Sequence, residues 1–394
     1  MLLLFVLAHF GHHLVSSLLA PLLPLIRDDF ALNYAQAGLV VSAFNLSYGI
    51  GQLPAGWLAD RIGHRMLITV GISGVALSGL IIGLSPTYII MVVFLVLLGL
   101  MGGGYHPAAA PLVSASVEPK NRGRALGLHQ IGGSCSYFAG PLIAAAIAAT
   151  LGWRGSFIVV SIPVIILGIV LYALLGRWGY AKKAEYRTPS GGGSHPETLP
   201  TQALDRWRYL VPFIILAIVV EALLNSTIQF IPLFLVDHFS RSKEAAAALL
   251  SIVYSSGFWA GPLGGYLSDR FGRVPVLLVT SLLAGPIVYL LGVVSYGWGL
   301  FLVLPVIGMS MFSRMPVVES YLISHASERR RSTVLGIYYF GSRGGPGIAL
   351  PIMGSLADRF GFHTTFTIVG AVMLAVTLIC FVCLRGSRDR PLHQ

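Results

Sequence analysis

Three histidines lie close together near the start of the chain, in the stretch AHFGHHLVSS. His9, His12 and His13 are spaced i, i+3 and i+4, so on a helix they share one face. Such a face can take up protons near neutral pH or supply ligands to a zinc ion. It can also consist of hydrogen-bonded histidines that serve only in packing. The spacing leaves these alternatives open.

A few other polar residues interrupt long apolar stretches. An ionisable side chain inside a membrane span is costly and therefore indicates function by default. The ionisable set comprises His106, Glu221, Arg314, Glu319 and Arg343. Neutral side chains that could add hydrogen bonds to a substrate are Tyr105, Asn45, Gln52, Asn225, Gln229 and Tyr254.

Composition explains why so few polar groups are available. Of 394 residues, 55% are hydrophobic and 10% are charged, and the mean hydropathy is +0.79. Soluble domains average about 25% charged residues. The chain is therefore predicted to be an all-α membrane protein with twelve transmembrane helices. Their approximate bounds are 2–26, 37–58, 66–84, 87–113, 124–149, 154–177, 209–236, 244–268, 275–294, 297–324, 332–356 and 362–384.

The twelve helices are predicted to form two pseudo-symmetric six-helix bundles. Four landmarks recur at an offset of 209 residues: Gly127 and Gly336, Asp60 and Asp269, Pro107 and Pro316, and Gly152 and Gly361. The predicted units are a bundle over 1–177, a cytoplasmic linker over 178–208, a bundle over 209–385 and a cytoplasmic tail over 386–394. Such duplication is typical of transporters whose site lies between the repeats.

The charge distribution predicts orientation and excludes several functions. Of the 26 Lys and Arg residues, most fall in loops on one side of the predicted spans, which places both termini in the cytoplasm. The basic residues are dispersed among loops, so nucleic-acid binding has no support. Without an ATP-binding or hydrolase motif, we predict a secondary transporter that is not an enzyme and needs no cofactor. We expect a monomer, multi-pass in the bacterial inner membrane.

The loop sequence GWLADRIGHR at Gly56–Arg65 resembles the best-known motif of the major facilitator superfamily. It returns in part at Gly265–Arg273 and again, as GSLADRFG, at Gly354–Gly361. The resemblance implies the major facilitator fold, with helices 1, 4, 7 and 10 around a central cavity, and transport by alternating access. The segment from Gly102 to Ala145 is similar to the fosmidomycin-resistance type of drug–proton antiporter. Helix 4 departs from many drug antiporters because it has no arginine.

The same resemblance suggests a gate. Asp60 is expected to accept hydrogen bonds from the N-terminus of helix 11, where Ser332 could cap the helix. Arg61 and Arg65 are expected to anchor at the cytoplasmic face. The predicted gating set comprises Asp60, Arg61, Arg65, Asp269, Arg270 and Glu319.

The predicted proton-coupling residues are Glu221, His12, His13 and His106. The 209-residue offset places Glu221 opposite His12, and Glu221 is the carboxylate nearest the predicted membrane centre. Arg314 has no obvious acidic partner in sequence, so it is a candidate for binding an anionic substrate through bidentate hydrogen bonds. Arg343 either pairs with Glu319 or contacts substrate. We predict no metal site, because no third helix supplies a cysteine or carboxylate cluster beside the histidines.

The sequence therefore predicts proton-coupled export of small organic compounds, anionic ones included, with substrate, protons and the lipid bilayer as partners. Proton-coupled uptake or uniport of an organic anion, such as a carboxylate, is the first alternative. A non-transporting membrane sensor is the second.

Overall fold

A computed structural model describes residues 1–118, 121–177, 200–325 and 331–386. At Gly56, Asp60, Pro107, residues 200–206 and residues 331–332 it describes the backbone alone. Most of the predicted linker 178–208 and of the predicted tail 386–394 lies outside the described residues. The side chains of Asp60 and Ser332 lie outside them too, so the contact predicted between these residues stays a prediction.

The first half of the chain consists of helices joined by short turns. Apolar residues from all of them fill a common core, which includes Phe5, Leu22, Ile72 and Phe157. The helices are α1 (Leu2–Ser17), α2 (Leu19–Asp29), α3 (Tyr34–Ile62), α4 (His64–Leu84), α5 (Tyr88–Gly103), α6 (Tyr105–Ala115) and α7 (Arg122–Arg177).

The second half is also helical. A short 3₁₀ segment, Ser256–Phe258, separates two of its helices. Within the described part of the chain, nine helical stretches are long and apolar enough to cross a membrane. The helices of this half are α8 (Pro200–Phe239), α9 (Lys243–Ser255), α10 (Ala260–Phe271), α11 (Arg273–Val293), α12 (Trp298–Phe312), α13 (Arg314–His325) and α14 (Arg331–Leu384).

Two of the longest helices are interrupted by a glycine with positive φ. Gly152 (φ 66°) breaks α7, and Gly361 (φ 75°) breaks α14. The hydroxyl of Ser156 donates a hydrogen bond to the carbonyl of Ala144 at 3.3 Å. Twelve residues of straight helix would separate these groups by about 18 Å, so the chain folds back at Gly152. L-residues rarely adopt this conformation, which explains the glycine.

The halves meet along α3 and α14, which lie unusually close together. A Cβ added at Gly49 would lie 2.9 Å from the backbone of Gly344, and one at Gly38 would lie 2.6 Å from the carbonyl oxygen of Leu350. Small residues allow two helix backbones this proximity in a membrane. The close approach of these two helices therefore depends on glycines.

One end of the molecule is closed by polar contacts between the halves, and we refer to it as the closed end. The carboxylate of Asp237 accepts hydrogen bonds from the Arg27 guanidinium and from the Tyr34 hydroxyl at 2.7 Å. The carboxylate of Asp358 accepts from the backbone N–H groups of Tyr34 and Ala35, each at 2.9 Å. These contacts join the N-terminal turn of α3 to α8 and α14.

The third copy of the loop motif thus has a defined position. Asp358 belongs to the GSLADRFG sequence, and it lies at the N-terminus of α3. That terminus also carries a capping box made by Asn33 and Gln36. An acidic side chain at a helix N-terminus is stabilising, because the free N–H groups and the helix dipole both favour negative charge.

Candidate functional site

A cavity lies between the halves and is lined from both. About 60 Å³ of its volume is open to the centre of a water molecule, which is room for a few waters. Polar side chains predominate around it. The lining residues are His13, Ser16, Ser17, Leu19, Ala20, Phe44, Asn45, Tyr48, Tyr137, Asn225, Gln229, Tyr254, Ser342, Arg343 and Pro346.

Arg343 supplies the positive charge of the cavity. It lies on α14, is partly exposed, and among the described residues has no hydrogen-bond or ion-pair partner. The alternative that it pairs with Glu319 is not realised, because Glu319 instead accepts a hydrogen bond from the Tyr339 hydroxyl at 2.7 Å. A guanidinium with free donors is suited to bidentate binding of a carboxylate or phosphonate.

Three amide side chains cross the cavity. The Asn45 Nδ2 donates to Gln229 Oε1 at 3.2 Å, and Gln229 Nε2 donates to Asn225 Oδ1. Asn45 lies on α3 and the other two on α8, so this chain of hydrogen bonds links the halves. Tyr254 faces Tyr137 with ring centroids 5.4 Å apart. The amide side chains and the tyrosine hydroxyls can each donate and accept hydrogen bonds.

Glu221 and Arg314 form a separate buried pair outside the cavity lining. The Arg314 Nε lies 3.9 Å from Glu221 Oε2, and the Arg314 side chain is fully buried. The guanidinium also donates to the Ser281 hydroxyl at 2.5 Å and to the Leu216 carbonyl at 3.4 Å. The expectation that Arg314 lacks an acidic partner is therefore wrong. The two residues lie on α13 and α8, and the sequence does not reveal how those helices face each other.

Histidines from different helices converge on the N-terminal side of the cavity. One ring nitrogen from each of His9, His13 and His106 lies within 4.8 Å of the others. The Nε2 atoms of His13 and His106 are 3.2 Å apart. His13 Nδ1 lies 3.2 Å from the Tyr137 hydroxyl. His13 connects this group to the cavity, since it also lines it.

His9 and His12 are almost fully buried, at 2% and 0% exposure. The Nδ1 of His9 lies 2.7 Å from the carbonyl oxygen of His129, so it is the nitrogen that donates. The Nε2 of His9 and both ring nitrogens of His12 have no hydrogen-bond partner among the described residues. The ring of His12 stacks on Tyr105, with centroids 4.3 Å apart.

The remaining predicted residues lie away from the cavity. Tyr105 is fully buried beside the histidines, and Gln52 is not part of the lining. Arg65 donates to the Tyr172 carbonyl at 2.8 Å, and Arg61 stacks on Trp57 at 4.3 Å. In the second motif copy, Asp269 and Arg270 are exposed.

Several lining residues escaped the sequence analysis. Ser16, Ser17 and Tyr48 lie one helical turn from His13 or Asn45, and Ser342 adjoins Arg343. Helical spacing from the predicted residues would have identified them. Tyr137 lies within the segment from Gly102 to Ala145 that carries the narrower resemblance, but it has no charge that would have marked it.

The chain is similar to known transport proteins. The model of the Major Facilitator Superfamily matches residues 5–261 and 213–394. The fosmidomycin resistance protein of Escherichia coli is 24% identical over 97% of this chain and 92% of that protein. The multidrug resistance protein MdtG of Citrobacter koseri is also 24% identical, over 95% of this chain and 92% of that protein.

The fold is similar to those of solved transporters. A bacterial homologue of the human lysosomal transporter Spinster, in an inward-facing and occupied conformation, superposes with a TM-score of 0.82. The alignment covers 99% of this chain and 97% of that one at 17% identity. At this identity the likeness concerns the fold alone.

Proposed function

The chain belongs to the Major Facilitator Superfamily and is a membrane transporter rather than an enzyme, and from that premise we propose that it exports small organic anions in exchange for protons. Resistance proteins similar along nearly the whole chain support export. Fosmidomycin, named for one of them, therefore belongs among the compounds to test.

We propose twelve spans for this transporter. Nine helical stretches qualify by length and apolarity. Two of them are divided, at Gly152 and Gly361. The 29-residue helix α3 (Tyr34–Ile62) is a further one. In this scheme the closed end faces the periplasm of a bacterial inner membrane, both termini are cytoplasmic, and the protein acts as a monomer.

The free guanidinium of Arg343 is the observation that carries the substrate assignment. A cation in a membrane-buried cavity needs a counter-charge, and no described residue supplies one within ion-pair distance. An anionic group of the substrate would satisfy it. The amides of Asn45, Asn225 and Gln229 would then contact the neutral part of the same molecule.

We assign proton coupling to Glu221. Its partner Arg314 is held by Ser281 and by backbone carbonyls, so protonation of Glu221 would remove one charge of the pair while the other stays fixed. The neighbouring residue Ala222 packs against Gly345 of α14. A Cβ added at Gly345 would lie 2.9 Å from the Cβ of Ala222. A change at Glu221 can therefore shift the helix that carries Arg343, and protonation would favour one of two conformations.

The experiment compares four variants with the wild type in everted vesicles of an efflux-deficient bacterium. Arg343→Gln should weaken binding of an anionic substrate by about 10- to 100-fold, since hydrogen bonds to charged groups contribute roughly 1.5–3 kcal/mol. Arg343→Lys keeps the charge and should lose less. Arg241→Gln removes an exposed arginine at the surface and should behave as wild type.

Glu221→Gln should abolish proton-driven accumulation while leaving substrate binding measurable. Unchanged coupling in this variant would overturn the role of Glu221, and unchanged affinity in Arg343→Gln would overturn that of Arg343. Substrate movement in the opposite direction would favour uptake or uniport of an organic anion. Ligand binding without any movement would favour a sensor.

A further inference from the structure

We propose that His9, His13 and His106 bind a divalent late first-row transition-metal ion, such as Zn²⁺, Co²⁺ or Ni²⁺, with one coordination position left open toward the cavity. The bound species is the metal ion alone, and no transported compound is needed for it to bind. This site goes beyond the proposed export of anions and does not depend on it.

The separation of the ring nitrogens fits such an ion. Zinc binds imidazole at about 2.0–2.1 Å in tetrahedral sites, which sets neighbouring ligand nitrogens about 3.4 Å apart. The Nε2 atoms of His13 and His106 are 3.2 Å apart. The widest pair in the group is no more than 4.8 Å apart, so a shift of about 1.5 Å would complete the triangle.

The surrounding hydrogen bonds prepare the rings as ligands. Metal-bound histidines usually donate their other nitrogen to a carbonyl or another acceptor, which fixes the tautomer. His9 does so through Nδ1, toward the His129 carbonyl at 2.7 Å, and this leaves a lone pair on its Nε2. That atom is buried and has no partner among the described residues. Tyr137 stands in the same relation to His13, at 3.2 Å from Nδ1.

The ligand set selects the class of metal. Imidazole nitrogens suit zinc, copper, iron and nickel, whereas magnesium and calcium require oxygen ligands. Three histidines with a fourth open position are the arrangement of catalytic and substrate-accessible zinc sites. Of the three ligands His13 also lines the cavity, so the cavity is the space from which water or a solute would reach the open position.

From the sequence we predicted no metal site, because no third helix offers a cysteine or carboxylate cluster beside the histidines. The third ligand is instead His106, which lies at the start of α6, directly after the break at Gly104. His12, in contrast, faces Tyr105 and is not part of the group. It therefore provides a matched control on the same helix.

The test is zinc titration of the purified full-length protein in detergent after removal of any polyhistidine tag. A fluorescent chelator competes for Zn²⁺, and the visible spectrum of added Co²⁺ reports the coordination geometry. We expect one ion per chain and a tetrahedral Co²⁺ spectrum. His9→Gln, His13→Gln and His106→Gln should each weaken binding by more than the roughly 10- to 100-fold that loss of an outer hydrogen-bond partner causes.

The controls separate this site from incidental binding. His12→Gln and the exposed-surface variant His363→Gln should each retain wild-type affinity, and Mg²⁺ should not compete. Gel filtration and thermal unfolding confirm that each variant is folded. Wild-type affinity in His106→Gln, or an equal loss in His12→Gln, would overturn the proposal. Either result leaves the export experiment unaffected, because that experiment measures anion movement in vesicles without added metal.

Discussion

His12 and Glu221 occupy corresponding positions of the two halves, 209 residues apart, yet their surroundings differ in chemistry. His12 lies among imidazole and phenol rings, namely those of His13, His106 and Tyr105. Glu221 lies beside a fully buried arginine. The same place in a duplicated scaffold therefore holds an imidazole among aromatic rings in one half and a carboxylate beside a guanidinium in the other. Duplication preserved the helices and left the polar groups free to diverge.

Breaking the charged pair should have the largest effect. Arg314→Leu leaves the Glu221 carboxylate without its partner, and such a change in a buried pair costs about 3–5 kcal/mol. Glu221→Gln in the same chain should recover much of this loss, because no isolated charge remains. Thermal unfolding of the single and double variants in detergent measures the coupling. Arg343→Leu removes a cation with no ion-pair partner and should cost much less. Strictly additive losses would contradict a functional pair.

Gly133→Ala, beside the histidine group, should have an intermediate effect, which is measured as a loss of zinc affinity. A Cβ at Gly133 would lie 2.8 Å from His9 Cε1 and 3.1 Å from Nε2, so the ring must move. We expect zinc affinity to fall by about 10- to 100-fold, as for a disturbed ligand orientation. Gly127→Ala on the same helix meets no atom within 4 Å and should not change the affinity. Equal affinities in both variants would show that the His9 position is unimportant for binding.

Removing the Asp358 contact at the closed end should have the smallest effect. Asp358→Ala removes the acceptor of two N–H groups at the start of α3, a loss comparable to that of an N-cap, about 0.5–2 kcal/mol. The closed end should then open more often. Spin labels on cysteines at Thr150 and His363 would report a larger population at long distance.

Lys243→Gln is the control for this change. It breaks the ion pair between Lys243 and Asp28, which is also at the closed end, and solvent-accessible ion pairs contribute about 0–1 kcal/mol. A distance distribution that shifts more in Lys243→Gln than in Asp358→Ala would contradict the expectation that the Asp358 contact contributes more to closing this end than the Lys243–Asp28 pair does.

Much of the fold could be predicted from the sequence because it depends on local signals. Apolar length and an offset of 209 residues predicted a repeated, all-helical membrane architecture. The glycines at the turns recur at the same offset. Gly63 and Gly272 are 209 residues apart, as are Gly152 and Gly361, and all four have positive φ. Because only glycine adopts such a turn easily, the turn can be recognised in the sequence.

The candidate site was less predictable because it depends on how helices rotate against one another. Asn45, Gln229 and Arg343 were foreseen and do line the cavity. Arg314 was expected to face substrate, but the way α13 packs against α8 places it beside Glu221 instead. His106 was foreseen as an ionisable group, while its approach to His9 and His13 depends on how α6 packs against α1. Side-chain partners 90 residues apart leave no local pattern.

The fold-back at Gly152 also bears on how the two helical parts of α7 lie in the membrane. A single residue separates the two helical parts of α7, and Ser156 already contacts Ala144 across the turn. Two apolar segments joined so tightly must lie side by side in the bilayer. The turn itself therefore makes each segment a neighbour of the other, before any contact with the remaining helices is considered.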